Sequence, residues 1–190
     1  AICHQRIGSN EKALELSHEA LAIVKSRYLE SSERWAESYL SSVLCRADIY
    51  FYLKQSDKVL SNYMEAISIF RYRYKVAPEE WTEAYLQSLS DIALIFRKLE
   101  LQEEALLLYE ESLPILEIFS KKLPKRWASV YADNLHNFAI CYDELGRKDE
   151  ALPFFDKELS VRRVVYKAEP NVLADILNKR ALYHLSLRPI

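Results

Sequence analysis

The chain has 190 residues, 26 of them basic and 28 acidic, and its formal charge of −2 gives no global bias toward nucleic acid or an anionic membrane. Half of the residues are apolar, yet no apolar run approaches the roughly 20 residues that span a bilayer, and no charged stretch followed by an apolar signal region opens the chain. Three cysteines, an odd number far apart in sequence, make no disulfide framework, so the expected setting is reducing and cytoplasmic.

Residues 1 to 14, AICHQRIGSNEKAL, overlay residues 139 to 152, AICYDELGRKDEAL. The later copy ends one helix and starts the next, so the first residue is expected inside a helix whose beginning is missing, in a fragment of a longer protein. Residues 10 to 29 follow as a helix, with Ala13, Leu14, Leu16, Ala20, Leu21 and Ile23 at three- and four-residue steps. Ser32 is the expected cap of a second helix, 33 to 53, in which Trp35, Tyr39, Leu40, Val43, Ala47, Tyr50 and Leu53 keep helical spacing. Further helices are expected over 57 to 75, 80 to 99, 103 to 121, 126 to 145 and 149 to 167. Pro78, Pro124 and Pro170 stand between pairs, where proline ends one helix and can begin another. Gly8 and Gly146, the two glycines, occupy helix-ending turns, and Lys54 and Glu100 fill the same place in the middle copies. There the helices must end at some backbone cost or by another geometry. A last helix, about 172 to 186, matches only if some four residues are deleted after Pro170, which suggests a shorter capping unit.

These elements are copies of one another. A shift of 46 residues superposes Ala13, Val59, Ala105 and Ala151, each followed by leucine, and aligns Trp35, Trp81 and Trp127, all the tryptophans present. It also aligns Tyr39, Tyr85 and Tyr131, and Ala47, Ala93 and Ala139. The units are 1–32 (partial), 33–78, 79–124, 125–170 and a terminal 171–190. No period-two alternation or hairpin dipeptide occurs, so the fold class is all-α, helix pairs stacked on their neighbours. Tryptophans that recur with the repeat are read as packing between units.

Ala139, Tyr142, Gly146, Ala151 and Phe155 carry the spacing of small and aromatic residues found in tetratricopeptide repeats, which the chain resembles over almost its whole length. The usual repeat is 34 residues. The longer one here looks more like those of kinesin light chains and the sensor regions of signal-transducing NTPases. The resemblance implies a right-handed superhelical stack of antiparallel helix pairs, and it implies that the first helix of each unit lines a concave groove.

Candidate catalytic chemistry is thin. His4, His18, His136 and His184 have no partner at metal-ligand spacing, two isolated glycines make no phosphate loop, and no metal or cofactor is expected. Cys3 and Cys141 read as packed thiols. Acidic pairs such as Glu103-Glu104 fall at helix ends, where solvation explains them better than acid–base catalysis.

The groove positions that the resemblance implies are Ser41, Leu44, Asp48, Phe51 and Tyr52 in one copy. Their equivalents are Gln87, Ser90, Leu94, Arg97 and Lys98 in the next, and Asp133, His136, Ile140, Asp143 and Glu144 in the third. Unlike the tryptophan and alanine columns these vary, as a surface reading a non-repetitive segment would. Phe51, Tyr52, Leu94 and Ile140 are the expected apolar anchors; Asp48, Arg97 and Asp143 set polarity. The family's clamp for acidic C-terminal tails is not reproduced, because Leu44, Asp48 and Cys45, then Ser90, Leu94 and Asp91, replace its basic and amide residues. Only Asn137 and Lys179 fit it.

Two basic clusters, Arg71 to Lys75 with Tyr72 and Tyr74 between, and Lys121 to Arg126, are placed at one edge of the stack. Nearby acidic residues and the balanced net charge favour a solvated edge over RNA contact. The expected function is a non-catalytic interaction module binding a protein or peptide partner, with no membrane partner. The competing readings are a structural or autoinhibitory segment packed on other domains of its own chain, and an RNA-binding repeat.

Overall fold

The computed structural model describes residues 10–186. The 1–14 overlay, apart from its last residues, lies outside them, as do Cys3, His4, Gly8 and the tail after Ser186. Among the described residues the chain forms eight α-helices and no strand: α1 (Asn10–Glu30), α2 (Ser32–Tyr52), α3 (Ser56–Val76), α4 (Pro78–Lys98), α5 (Gln102–Lys122), α6 (Pro124–Glu144), α7 (Lys148–Val165) and α8 (Pro170–Ser186).

The starts of alternate helices, Asn10, Ser56, Gln102 and Lys148, and again Ser32, Pro78, Pro124 and Pro170, recur at the 46-residue period. α8 therefore begins on the common register, two residues earlier than expected, and a deletion placed after Pro170 leaves that start where it is. A correction falls at α2. Ser31, not Ser32, is the N-cap residue, and it makes no side-chain capping bond.

Helix ends explain how the period survives without a glycine in every copy. After α2, α4 and α6 the chain closes the same two-bond motif. Gln55 N–H reaches Tyr50 O at 3.0 Å and Lys54 N–H reaches Phe51 O at 3.0 Å; Leu101 and Glu100, then Arg147 and Gly146, repeat the pattern. It needs a left-handed residue at its centre. Gly146 supplies one at φ 75, whereas Lys54 at φ 56 and Glu100 at φ 60 adopt the same conformation against the steric preference of a side chain.

The chain divides into two compact units, Ala1–Ser88 and Leu89–Ile190, with the division inside α4. In the first, α1 packs on α2 and α2 on α3. Its core is built by Ala36, Tyr39, Val43 and Ala47 of α2 against Val59, Tyr63, Ala66 and Ile67 of α3, all buried. Trp81 is buried here against Phe70, with the Arg73 guanidinium 5.0 Å from its ring centre. In the second unit α5 packs on α6, α6 on α7 and α7 on α8. Ala105, Tyr109 and Leu116 of α5, Leu135, Phe138 and Ala139 of α6, and Ala151 and Phe155 of α7 fill its core. Trp127 is buried against Phe119 at 5.5 Å between ring centroids. The recurring alanines Ala13, Ala47, Ala93, Ala105, Ala139 and Ala151 are all fully buried. Small side chains let helices approach closely, which explains why those columns repeat.

Candidate functional site

In the second unit, α6, α7 and α8 enclose a cavity of about 560 Å³. Its apolar wall is Ile140 of α6, Phe155 of α7 and Ile176 and Tyr183 of α8; its polar wall includes His136, Asp143, Glu158, Arg162, Lys179 and Arg180. The helical period places His136, Ile140 and Asp143 on one stripe of α6, three or four residues apart. The same stepping brings Phe155, Glu158 and Arg162 together on α7.

Glu158 organises the polar wall. It is 3% exposed, and an ionised carboxylate at that depth requires partners. His136 Nδ1 donates to its Oε2 at 3.2 Å and Arg162 Nε to its Oε1 at 2.6 Å. Arg180 Nη2 from α8 donates to Oε2 as well. Burial opposes ionisation of Glu158, but the hydrogen bonds from His136 and Arg162 and the Arg180 charge outweigh it and hold the carboxyl below its ordinary range. Arg162 also reaches Asp133 at 2.8 Å. The Arg180 guanidinium lies 3.7 Å from the centre of the Phe155 ring, a cation–π contact joining the polar wall to the apolar one. Its Nε is buried without a hydrogen-bond partner. At the other side, Tyr183 donates to Asp143 at 3.0 Å, and burial followed by that bond pushes its hydroxyl up to about 12.

The expected groove residues are distributed as follows. His136, Ile140 and Asp143 line this one cavity. Arg97 is engaged internally, donating to both oxygens of Glu144 at 3.2 and 3.1 Å and to Asn137 at 3.2 Å. Ser90 donates to Asn134 at 2.8 Å; Leu94 is half-buried and Lys98 exposed. In the first unit, Leu44 and Phe51 are half-buried, and Phe51 meets the exposed Tyr52 edge-on at 6.0 Å. Asp48 accepts a 2.5 Å bond from Tyr63, whose hydroxyl is raised well above its ordinary range by burial and by that bond.

Glu158, Arg162 and Arg180 were not expected. The signal for them lies in the repeat columns: Glu158 stands where earlier copies have Ala66 and Ser112, Arg162 where they have Phe70 and Leu116, and Arg180 where they have Ser88 and Asn134. Charged residues break three columns that are small, apolar or uncharged elsewhere, and all three breaks meet at one cavity. A second cavity, about 320 Å³, lies among α5, α6 and α7 beside Pro114, Tyr131 and Phe138. Lys157 crosses it to Glu117 at 2.8 Å.

Cys45 and Cys141 are free thiols, and burial pushes Cys141 up to about 12, which keeps it protonated. Among the described residues no cluster of three or more histidine, cysteine or acidic side chains is placed to hold a metal ion, and no helix is long and apolar enough to cross a membrane.

The sequence matches no known family profile and no curated protein. Solved structures match it in fold. BtubC (BKLC) from P. vanneervenii is 16% identical, aligns over 94% of this chain and 67% of its own, and gives a TM-score of 0.60. A Podosopora anserina protein of nearly identical TPR-like repeats, described as a kinesin light chain candidate, is 20% identical over 98% of this chain and 92% of its own, also at 0.60. The fold of this chain is thus a TPR-like stack of α-helical repeats.

Proposed function

We propose that the chain is a non-catalytic interaction module that takes a peptide segment or a projecting part of a partner domain into the cavity between α6, α7 and α8. The observation that carries this reading is the buried Glu158–Arg162–Arg180 cluster at columns that are uncharged in the other copies. The equivalent positions elsewhere hold Ala66 and Ser112, Phe70 and Leu116, and Ser88 and Asn134, so those copies carry no charge there. Burying three charges costs desolvation that apolar packing avoids. A rigid charged wall facing an apolar one is the composition of a recognition pocket, where apolar contact gives affinity and a few fixed polar groups give orientation.

The partner side chain that this cavity fits is apolar, seated against the half-buried Ile140 and Ile176. The segment's backbone would lie beside Asp143 and Lys179. Leu44, Asp48, Phe51 and Tyr52 on α2, and Leu94 and Lys98 on α4, belong to the same proposal as flanking contacts for a longer segment. A cytoplasmic setting is also proposed, supported by the two free thiols; an unchanged mass with and without reductant would be expected for the purified chain. The test of the binding reading is isothermal titration of a selected peptide against the chain and against Ile176→Ser, a change at a half-buried wall residue. Loss of about tenfold in affinity is expected for one lost apolar anchor. Equal affinity for the two proteins would place the peptide elsewhere.

A further inference from the structure

The edge of the second unit where α5 turns into α6 and α7 into α8 carries groups that packing does not use. Between α5 and α6 the chain reads Lys121-Lys122-Leu123-Pro124-Lys125-Arg126. Leu123 precedes a proline and is driven out of helical conformation, to φ −133 and ψ 65. Its side chain is left 51% exposed at the turn. Ile118 on α5 and its repeat equivalent Val164 on α7 are 53% and 75% exposed. Three residues after each stands an exposed lysine, Lys121 and Lys167. On α5 that step places Lys121 and Ile118 on the same side of the helix, and Lys167 stands in the turn that follows α7. Arg163, Lys122 and Lys125 are exposed beside them.

Acidic groups do not balance this edge. Glu117 is already held by Lys121 at 2.9 Å and Lys157 at 2.8 Å, and both bonds draw its carboxyl down to about 2; Glu169 is the exposed carboxylate at the next turn. The opposite edge, at the turns after α4 and α6, exposes Glu100, Glu103, Asp149 and Glu150. That opposite edge also exposes Lys98 and Lys148, and Arg147 pairs with Glu103 and Glu150, so its charges are mixed where those at the α5–α6 turn are basic. In the first unit the corresponding turn reads Lys75-Val76-Ala77-Pro78-Glu79-Glu80. It has an aliphatic group at the tip but carboxylates where the second unit has Lys125 and Arg126. The basic, aliphatic edge is therefore a property of one copy.

We propose that this edge docks on an anionic lipid bilayer, with Leu123, Ile118 and Val164 entering the headgroup layer and the surrounding lysines over lipid phosphates and carboxylates. Charge complementarity and protruding aliphatic groups both favour a bilayer. Single-stranded nucleic acid would need a run of exposed aromatic platforms; here Trp127 is buried, Phe119 packs on it and Tyr166 is half-buried. An extended acidic peptide would need a groove, and neither cavity described above reaches these turns. The total charge of −2 does not reveal this local basic surface.

The test is co-sedimentation of the whole 190-residue chain with large unilamellar vesicles of phosphatidylcholine, with and without about 30 mol% phosphatidylserine, at low and high salt. Binding is expected only with phosphatidylserine, weakening as salt rises. The triple variant K122Q/K125Q/K167Q should bind roughly 100-fold more weakly, at about fivefold per neutralised charge. L123S/V164S should weaken binding while leaving its salt dependence unchanged. All five side chains are exposed, and thermal melts of the variants check that folding is intact. Absence of a phosphatidylserine preference overturns the proposal, as does undiminished binding by the triple variant. Binding to polyuridylate or polyglutamate without binding to vesicles overturns it too.

Discussion

The two units make the same helix contacts with different chemistry. In Ala1–Ser88, Arg46 Nε donates to Asn62 at 2.5 Å, and Tyr63 donates to Asp48 at 2.5 Å. Two repeats on, the residues at those four positions are Phe138, Phe154, Phe155 and Ile140. Phe138 and Phe154 now meet edge-on at 4.5 Å, and Phe155 and Ile140 become the apolar wall of a cavity. Arg73 over Trp81 in the first unit is matched by Phe119 against Trp127 in the second. The repeat fixes where two helices touch and leaves open whether the contact is polar or apolar. In the first unit polar pairs close the interface with their own hydrogen bonds. In the second, polarity has moved one turn along α7 to Glu158; Phe155 is covered by Arg180 and Tyr183, and Ile140 stays half-buried at the cavity.

The largest expected effect comes from breaking that relocated cluster. Glu158→Ala removes the carboxylate partner of Arg180 and leaves Arg162 with Asp133 alone, and a loss of about 3 kcal/mol is expected in thermal or urea melts. Adding Arg162→Leu, the residue of the preceding copy, should return at least half of it. If the double variant is no more stable than the single one, the cluster is not a substitute for apolar packing. In the first unit, Asp48→Ala leaves the buried Tyr63 hydroxyl without its acceptor and should cost about 2 kcal/mol. The pair Asp48→Ile with Tyr63→Phe, which copies the second unit, should cost less than Asp48→Ala alone.

Smaller effects test the turns. Lys54→Gly and Glu100→Gly should each stabilise by about 1 kcal/mol, since glycine adopts positive φ without a steric penalty. Gly146→Ala should lose a similar amount through backbone conformation alone, because an added Cβ meets nothing within 4 Å. Acid provides the mildest probe. Glu158 and Glu117 hold protons more weakly folded than unfolded, Glu117 down to about 2 from an ordinary 4.5. Their contribution is complete above about pH 4.5 and is lost as the pH falls toward 2. Glu117→Gln should flatten part of that acid limb, modestly, since a third of its side chain is exposed.

Helix positions and the alanine, tyrosine and tryptophan columns were legible in the sequence because a repeat states each packing contact several times. The cost at Lys54 and Glu100 was legible for the same reason: aligned with Gly146, they had to end a helix the way glycine does. Groove residues were only partly legible. His136, Ile140 and Asp143 came together, but Arg97 turned out to serve Glu144 and Asn137, because a long guanidinium beside a carboxylate is satisfied within the fold. Glu158 was missed because a buried carboxylate on the second helix of a pair looks, by composition alone, like solvated surface. Its place in an otherwise small-residue column is what marks it.

The central claim is that the apolar wall beside Glu158 receives a partner segment. It is tested most directly by selecting a displayed peptide library on the chain and measuring each enriched peptide against Ile140→Asp, which installs the residue that Asp48 provides in the first unit. The account predicts peptides sharing one apolar position and binding the variant at least about tenfold more weakly, with the variant's melting curve confirming that it is folded. Peptides that bind both proteins equally would contradict it.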